Sequence, residues 1–452
     1  MNVRRIYDLS PIWCQNLLIS LYGFKLKKQR YGKCYREKFE YFVNKKHESK
    51  EMEEEQQVAK LVNFIKFATD NSSFYRRKYK DVNILQIKSI TDLALLPVIT
   101  KEELRKNILD VYTVPKTEGV SAFTGGTTGK ALEVVFTKSD FQERMAYLDA
   151  FKSTLGIDPF KTSKATFSGR EILPKSKTNT TIFWRNNSAY NQRLYSTFHM
   201  NDQTLPLYVE NLNKLKPEVI NGFVSAIYDI AKFIESNKIK LQFSPKAIFT
   251  TSETLLQFHR EQIERVFGTK VYNQYASAEG APFITECPFG ELHYNLDTGV
   301  IEISNEKGSM LVTSFTTHGT PLIRYDIGDE VSFKEGDCNC GSKHPLVKEI
   351  KGRMVDFLLA PNGNKVSLSH LADVIKGMPS CISKVQFNQV NKDEIIIKIV
   401  VDGNVYREEY DQLIIESIHY RFGSEMKVKI QKVTSIEREK SGKYSLIKKS
   451  YE

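Results

Sequence analysis

The chain has 452 residues, of which 41% are hydrophobic and 26% charged, with a formal net charge of +11. That balance is too apolar for a disordered chain, and no uninterrupted apolar run reaches the roughly 18 residues needed to span a bilayer. Residues 1–50 hold twelve Lys/Arg against four Asp/Glu, so the surplus belongs to a basic N-terminal arm with its own contact rather than to a generic polyanion binder.

Within that arm, residues 11–24 are apolar but broken by Pro11, Gln15 and Asn16, and are followed by Lys25, Lys27, Lys28 and Arg30. No small-residue cleavage site follows, so the stretch reads as a short helix, packed on the body or lying at a membrane surface. Tyr22, Phe24, Tyr31, Tyr35 and Phe39 interleave with the cations, yet the run matches no nucleic-acid-binding module. Six cysteines are too few for a disulfide framework, which predicts a reducing, cytoplasmic compartment, at the inner membrane face if the arm docks there.

Val58, Leu61, Val62, Ile65 and Ala68 form one stripe behind an acidic first turn, which predicts a helix over 51–70. Thr100 is the expected cap of the next helix, with Glu103 at the capping-box position. A polar loop over 124–130 precedes a strand carrying Leu132, Val134 and Phe136, and Ser139 with Gln142 reads as the next helix start. Helix-like and strand-like segments alternate through residue 275, which argues for α/β layers. Short strands and turns occupy 290–333. Beyond residue 354, strands at 382–389, 394–401 and 426–433 with a helix at 406–420 predict a small α+β unit. The expected division is an arm (1–50), a large domain (51–352) and a small domain (353–452).

The most informative loop is Thr124-Gly125-Gly126-Thr127-Thr128-Gly129-Lys130. Its backbone N–H groups and hydroxyls can wrap phosphate oxygens, and Lys130 adds charge. It is not a Walker motif, because Thr124 and Ala131 stand where Gly and Ser/Thr are required. A surface hairpin is the plainer alternative. Downstream come Tyr272-Asn-Gln-Tyr275-Ala276-Ser277-Ala-Glu279-Gly, Pro321-Leu-Ile-Arg324-Tyr-Asp-Ile-Gly-Asp329, Gly352-Arg353-Met-Val-Asp356 and Lys440-Ser-Gly-Lys443.

In this order the set resembles the adenylate-forming superfamily of acyl-CoA synthetases and adenylation domains. Lys216-Pro217 with Asn221-Gly-Phe-Val-Ser225, Ser252-Glu-Thr-Leu255 and Cys338-Asn-Cys340-Gly make it most similar to the phenylacetate–CoA ligase and CapK-type branch. The resemblance implies an adenylate-forming α/β fold: a large N-terminal domain for ATP and acid, and a small mobile α+β lid. It implies ATP- and Mg²⁺-dependent activation of a small carboxylic acid as its acyl-adenylate. The acyl group would pass to an amine or amino sugar in capsule or O-antigen assembly, or to CoA as in aryl-CoA ligases. A non-catalytic nucleotide- or acyl-binding protein is a third reading.

The chemistry explains the residue types. A carboxylate is a poor electrophile until it attacks the α-phosphate and gains AMP as leaving group, so positioned cations and N–H donors matter more than a base. The resemblance implies that residues 124–130 grip the phosphates, with Thr128 catalytic. Tyr275, Ala276 and Ser277 would line the nucleotide, Glu279 would ligate Mg²⁺, and Asp329 would accept from the ribose hydroxyls. Arg353 would reach the ribose or phosphate, and Lys443 would stabilise α-phosphate charge. His199 falls between the nucleotide and acyl pockets, or is a buried structural histidine. Arg170 would meet a substrate carboxylate or phosphate, or reads more plainly as a surface ion pair. Ala276, Asp326 and Val355 depart from the family pattern, the last at the hinge position.

Cys287 with His293, and Cys338 with Cys340, offer three thiolates and one imidazole from two loops, enough for a tetrahedral Zn²⁺ site closed by protein ligands. Such a site would staple a subdomain over 286–341. Free cysteines on turns are the alternative, since a Cys338–Cys340 disulfide would be strained.

Overall fold

The N-terminal residues fold into helices. The computed structural model describes residues 3–45, 48–123, 132–174, 180–304, 308–351, 357–362, 365–367, 371, 374, 381–401, 403, 405–437 and 445–450. Helices α1 (Val3–Leu9), α2 (Ile12–Arg30) and α3 (Lys33–Asn44) come first, then α4 (Lys50–Asn71) and α5 (Ser73–Lys78). The hydroxyl of Ser49 caps α4, and Leu61, Phe64, Ile65 and Ala68 are its buried face. Two short helices follow, α6 (Lys101–Lys106), capped by Thr100 as expected, and α7 (Ile108–Val111).

Strands β1 (Val120–Phe123) and β2 (Glu133–Phe136) pair antiparallel. The expected phosphate loop, residues 124–130, lies outside the described residues. Helix α8 (Lys138–Ser153) is capped by Thr137, not by Ser139. Thr137 Oγ1 accepts from the Asp140 N–H at 3.0 Å, and the Asp140 carboxylate accepts from the Thr137 N–H at 3.0 Å. A carboxylate three residues after the cap completes both bonds of the box, and that choice sets the start two residues earlier than expected.

The main sheet has ten strands in the order β14-β15-β10-β9-β8-β7-β6-β3-β5-β4. Its first half comprises β3 (Lys164–Ser168), β4 (Trp184–Asn187), β5 (Gln192–Ser196), β6 (Val219–Phe223), β7 (Ala247–Thr251) and β8 (Val271–Tyr275), with helices α9 (Leu205–Leu215), α10 (Val224–Ser236) and α11 (Gln257–Phe267) between the later strands. Strands β5, β3, β6, β7 and β8 run parallel. Their buried faces explain runs such as Ala247-Ile-Phe249. At Gly222 the strands approach so closely that a Cβ would sit 2.3 Å from the Phe167 carbonyl oxygen.

The other half is antiparallel: β9 (Ile284–Glu286), β10 (Leu292–Tyr294), β14 (Glu330–Lys334) and β15 (Leu346–Lys351). Between β10 and β14 the chain builds a three-stranded sheet from β11 (Gly299–Ile303), β12 (Met310–Ser314) and β13 (Leu322–Asp326). The C-terminal region holds a two-stranded pair, β16 (Phe357–Leu359) and β17 (Lys365–Ser367). It also holds a four-stranded sheet, β20-β19-β18-β21, made of β18 (Ile382–Asn391), β19 (Glu394–Val401), β20 (Lys427–Lys432) and β21 (Ile447–Lys449), with α12 (Glu409–Phe422). Alternation along β18 and β19 puts Val385, Phe387, Ile395, Ile397 and Ile399 in that core. Lys232 of α10 donates to the Ile382 carbonyl at 2.8 Å, and Asp229 pairs with Lys384 at 3.7 Å.

The basic N-terminal helices lie against the body. Arg185 Nε donates to Gln15 Oε1 at 2.6 Å, and the Asn186 N–H donates to Asn16 Oδ1 at 2.9 Å. Lys38 pairs with Glu143 at 2.7 Å, joining α3 to α8. The deepest anchor is Asp297, just before β11. Its carboxylate meets Lys45 at 2.7 Å and Lys60 at 2.5 Å and accepts from the Tyr41 hydroxyl at 3.0 Å, while Lys45 also meets Glu53 at 2.6 Å.

Burial opposes ionisation of Asp297, but Lys60 and Lys45 outweigh it and hold its pKa at about 2. A carboxyl depressed below its unfolded value of about 3.9 contributes stability above that value and loses it as pH falls through the folded one. Asp297→Asn should therefore cost about 2–3 kcal/mol at neutral pH by denaturant unfolding. The difference from wild type should be full above about pH 4 and close as pH falls towards 2. A difference that does not vary with pH would refute the assignment.

Candidate active site

In open α/β sheets, ligands bind beyond the carboxyl ends of the parallel strands. Here those ends deliver Ser168-Gly169 from β3, residues 196–199 after β5, Ser225 after β6, residues 251–253 from β7 and residues 275–279 after β8. Glu253 explains part of the Ser252-Glu-Thr-Leu255 motif: its carboxylate accepts from the Ser225 N–H at 2.7 Å and the Ser225 hydroxyl at 2.9 Å, at the amino end of α10.

The turn after β8 is the most constrained. The Ser277 hydroxyl accepts from the N–H groups of Gly280 and Ala281 at 3.1 and 3.0 Å. Gly280 has φ of +103°, and a Cβ there would stand 2.6 Å from Thr317 and 2.7 Å from Phe136. Beneath the turn, Arg144 of α8 is buried and donates to the carbonyls of Gly280 at 2.9 Å and Ala281 at 3.1 Å and to Thr316 Oγ1 at 2.8 Å. Its guanidinium lies 4.3 Å from the centre of the Phe283 ring. Burial pushes its pKa down to about 10, so it stays charged at neutral pH.

This turn buries Glu279, whose Oε1 meets Lys101 Nζ at 3.3 Å. Lys101 arrives because residue 99 bridges β13: the Ile99 N–H donates to the Arg324 carbonyl at 3.0 Å and the Asp326 N–H to the Ile99 carbonyl at 2.9 Å. Arg324 is structural here, with φ of +45°, pairing with Glu302 at 3.1 Å and donating to the Leu96 carbonyl. Gly328, at φ of +79°, turns the chain to Asp329, and the Tyr275 hydroxyl donates to that carboxylate at 2.6 Å.

Tyr275 and Asp329 are thus brought together across 54 residues of sequence, with Glu279 one turn away. Ala276 is exposed beside them, whereas the Ser277 hydroxyl is bonded within its own turn. His199 is exposed, not a buried structural histidine; its Nδ1 lies 2.8 Å from Ser196 Oγ, and its ring stacks on Phe183 at 5.7 Å. Partial desolvation pushes its pKa below the ordinary value, which leaves it neutral at pH 7. Arg170 is exposed, and among the described residues no carboxylate pairs with it. Thr124, Gly125, Gly126, Thr127, Thr128, Gly129, Lys130, Arg353, Val355 and Lys443 lie outside the described residues. Cys287, His293, Cys338 and Cys340 converge, but away from this site. Lys101 and Arg144 were not among the sequence candidates; the only local signal was that Lys101 follows the Thr100 cap.

Glu279 is also the group that could hold Mg²⁺. It is a buried carboxylate at the carboxyl edge of the sheet, an oxygen donor of the kind this hard ion takes.

Comparison with known proteins places this geometry. A family model described as the CapK C-terminal domain matches residues 358–450. The chain is 36% identical over 446 residues to protein CapK of Staphylococcus aureus, covering 97% of each. It is 21% identical over 400 residues to a phenylacetate-coenzyme A ligase of Thermus thermophilus, covering 80% of this chain and 84% of that one. Among solved structures, 2-hydroxyisobutyryl-CoA ligase in its postadenylation state with R3-HIB-AMP superposes with a TM-score of 0.71 at 17% identity, covering 87% of this chain and 89% of that one. The same ligase in its thioesterification state with 2-HIB-AMP and CoA gives 0.57 at 18% identity, covering 88% and 90%.

The fold is that of the adenylate-forming ligases. Within that class, the chain belongs to the CapK family.

Replacing Arg144 with Met should cost about 2–4 kcal/mol, because two buried carbonyls lose a charged donor that water cannot replace. Denaturant unfolding measures this, and a change under about 0.5 kcal/mol would remove Arg144 as the anchor of the turn.

Proposed function

We propose that this chain uses ATP to convert a small carboxylic acid into its acyl-adenylate, with release of pyrophosphate, and then transfers the acyl group to an amine or amino sugar in capsular polysaccharide or O-antigen assembly. The observation that carries the reading is the hydrogen bond from Tyr275, at the carboxyl end of β8, to Asp329, with Glu279 buried in the turn that follows β8. The family resemblance assigns these three positions to the adenine, the magnesium ion and the ribose.

The residues then divide the work as follows. Asp329, held by the Tyr275 hydroxyl, accepts from both ribose hydroxyls and fixes the nucleoside. Glu279 holds Mg²⁺, which when bound offsets phosphate charge. Lys101 pairs with Glu279 in the free protein, and with nucleotide bound it would meet a phosphate oxygen. His199, three residues after β5, would stand between acid and nucleotide, as the family resemblance implies. Residues 124–130, Arg353 and Lys443 supply the remaining N–H donors and cations, so that the α-phosphate meets the acid in line.

A thiol acceptor is the second reading, supported by the similarity to a phenylacetate-coenzyme A ligase. AMP release that depends on CoA would select it, and release that depends on an amine or amino sugar selects the first. Lys443→Ala should lower acid-dependent exchange of pyrophosphate into ATP by about two to three orders of magnitude. Tyr275→Phe should raise the KM for ATP roughly tenfold with the fold intact, the loss of one hydrogen bond to a charged group. No exchange with a broad panel of carboxylic acids would favour a non-catalytic nucleotide- or acyl-binding protein instead.

The N-terminal helices suit a peripheral membrane contact at the inner face. No helix among the described residues is long and apolar enough to cross a membrane. On α2, however, Trp13, Leu17, Leu21 and Phe24 are exposed at spacings of one helical turn, with Leu9 exposed just before them. Arg5, Lys25 and Lys28 are exposed on the same two helices. An apolar stripe flanked by cations matches an anionic bilayer surface. Wild-type protein should bind vesicles containing anionic lipid, and phosphatidylcholine vesicles weakly. Trp13→Ser with Leu17→Ser should abolish that binding and leave pyrophosphate exchange unchanged. Equal binding by variant and wild type would remove the membrane contact.

A further inference from the structure

We infer that Cys287, His293, Cys338 and Cys340 form a structural zinc site, an assignment independent of the adenylation reading. Cys287 ends β9 and His293 sits on β10. Between them the Cys287 N–H donates to the Glu291 carbonyl at 2.8 Å, and Gly290 turns the chain at φ of +87°. This hairpin faces the loop joining β14 to β15. There the Gly341 N–H donates to the Cys338 carbonyl at 3.0 Å, and the Cys340 N–H points at Cys338 Sγ from 3.5 Å. A backbone N–H aimed at sulfur stabilises a thiolate ligand.

The four donor atoms lie within 4.8 Å of one another. Cys287 Sγ and Cys338 Sγ are 3.6 Å apart, and Cys340 Sγ is 3.4 Å from His293 Nε2. Tetrahedral zinc, with Zn–S of about 2.3 Å and Zn–N of about 2.0 Å, sets S···S edges of about 3.7 Å and S···N edges of about 3.5 Å. The observed edges agree to within a few tenths of an ångström, whereas a disulfide needs sulfurs about 2.05 Å apart. His293 is buried and its Nδ1 lies 3.2 Å from the His344 carbonyl oxygen. A proton on Nδ1 donated to that carbonyl leaves the Nε2 lone pair directed at the thiols, the orientation a zinc-bound histidine requires.

Three sulfurs and one imidazole select a borderline-soft ion over Mg²⁺ or Ca²⁺, and four protein ligands leave no open position for chemistry. A second convergence, of Glu53, Asp297 and His344, differs in kind, because Lys45 and Lys60 already neutralise its carboxylates.

The zinc site crosses strands that do not touch. In the sheet, β10 and β15 separate β9 from β14. Strand β9 runs antiparallel to β8, with Ile284 opposite Tyr275, so Cys287 lies towards the far end of β8. Strand β14 likewise runs from Asp329 towards Cys338. The site therefore ties the end of β9, the strand paired with the one that carries Tyr275, to the end of β14, the strand that begins after Asp329.

Full-length protein purified under reducing, chelator-free conditions should carry about one zinc per chain by elemental mass spectrometry. Cobalt-loaded protein should show the visible bands of a tetrahedral ion and an ultraviolet thiolate charge-transfer band. Cys338→Ser with Cys340→Ser should lower metal content at least fivefold. His293→Cys, which keeps four soft donors, should retain it, as should Cys381→Ser outside the cluster. Zinc well below one per chain after reconstitution with the ion, or octahedral cobalt without the charge-transfer band, would overturn the assignment.

Discussion

The candidate site depends on a charge buried without a carboxylate partner. Arg144 sits beneath the turn that follows β8 and, among the described residues, donates to two carbonyls and a hydroxyl. Removing a guanidinium from water is expensive, and acceptors held in fixed geometry, here three around Nη1, offset that cost. The turn is therefore held in one conformation. Gly280 can adopt its positive φ only because it lacks a side chain, and Glu279 is carried into the interior as a result. Thr316, the third partner of Arg144, lies just after β12, so the same cation couples the ten-stranded sheet to the three-stranded one.

That coupling accounts for the rest of the arrangement. Strand β13 carries residues 322–326 past residue 99, which brings the start of α6 to Glu279. The chain then turns at Gly328 and presents Asp329 to Tyr275. Two sheets and one short helix thus meet at a few polar groups. The hydrogen bonds among those groups are made between elements far apart in sequence, so they form only when the tertiary structure is complete.

The same separation explains what could be read from the residues beforehand. Tyr275, Glu279 and Asp329 were legible because each sits in a short local pattern with a recognisable spacing. The small C-terminal sheet was legible because strict alternation along 382–389 and 394–401 has only one structural meaning. Strand β21 was not, because three residues, two of them lysines, carry no period. Lys101, Arg144 and the structural role of Arg324 were invisible for a different reason. Their partners lie 178, 136 and 22 or more residues away, and nothing local distinguishes them from surface cations. The start of α8 went to Thr137 instead of Ser139 because two capable caps stood two residues apart and only one had a carboxylate at the right distance.

Helix α2 has a consequence for how the protein is made. Gln15 and Asn16 find their partners at Arg185 and Asn186, 170 residues further along. A ribosome adding about 5–20 residues per second takes roughly 10–30 s to produce that stretch. Throughout that interval the side chains of Gln15 and Asn16 lack these partners, because the strand that carries Arg185 and Asn186 has yet to be synthesised. Helix α2 therefore docks only once β4 has been made, and the order of synthesis sets the order of these contacts.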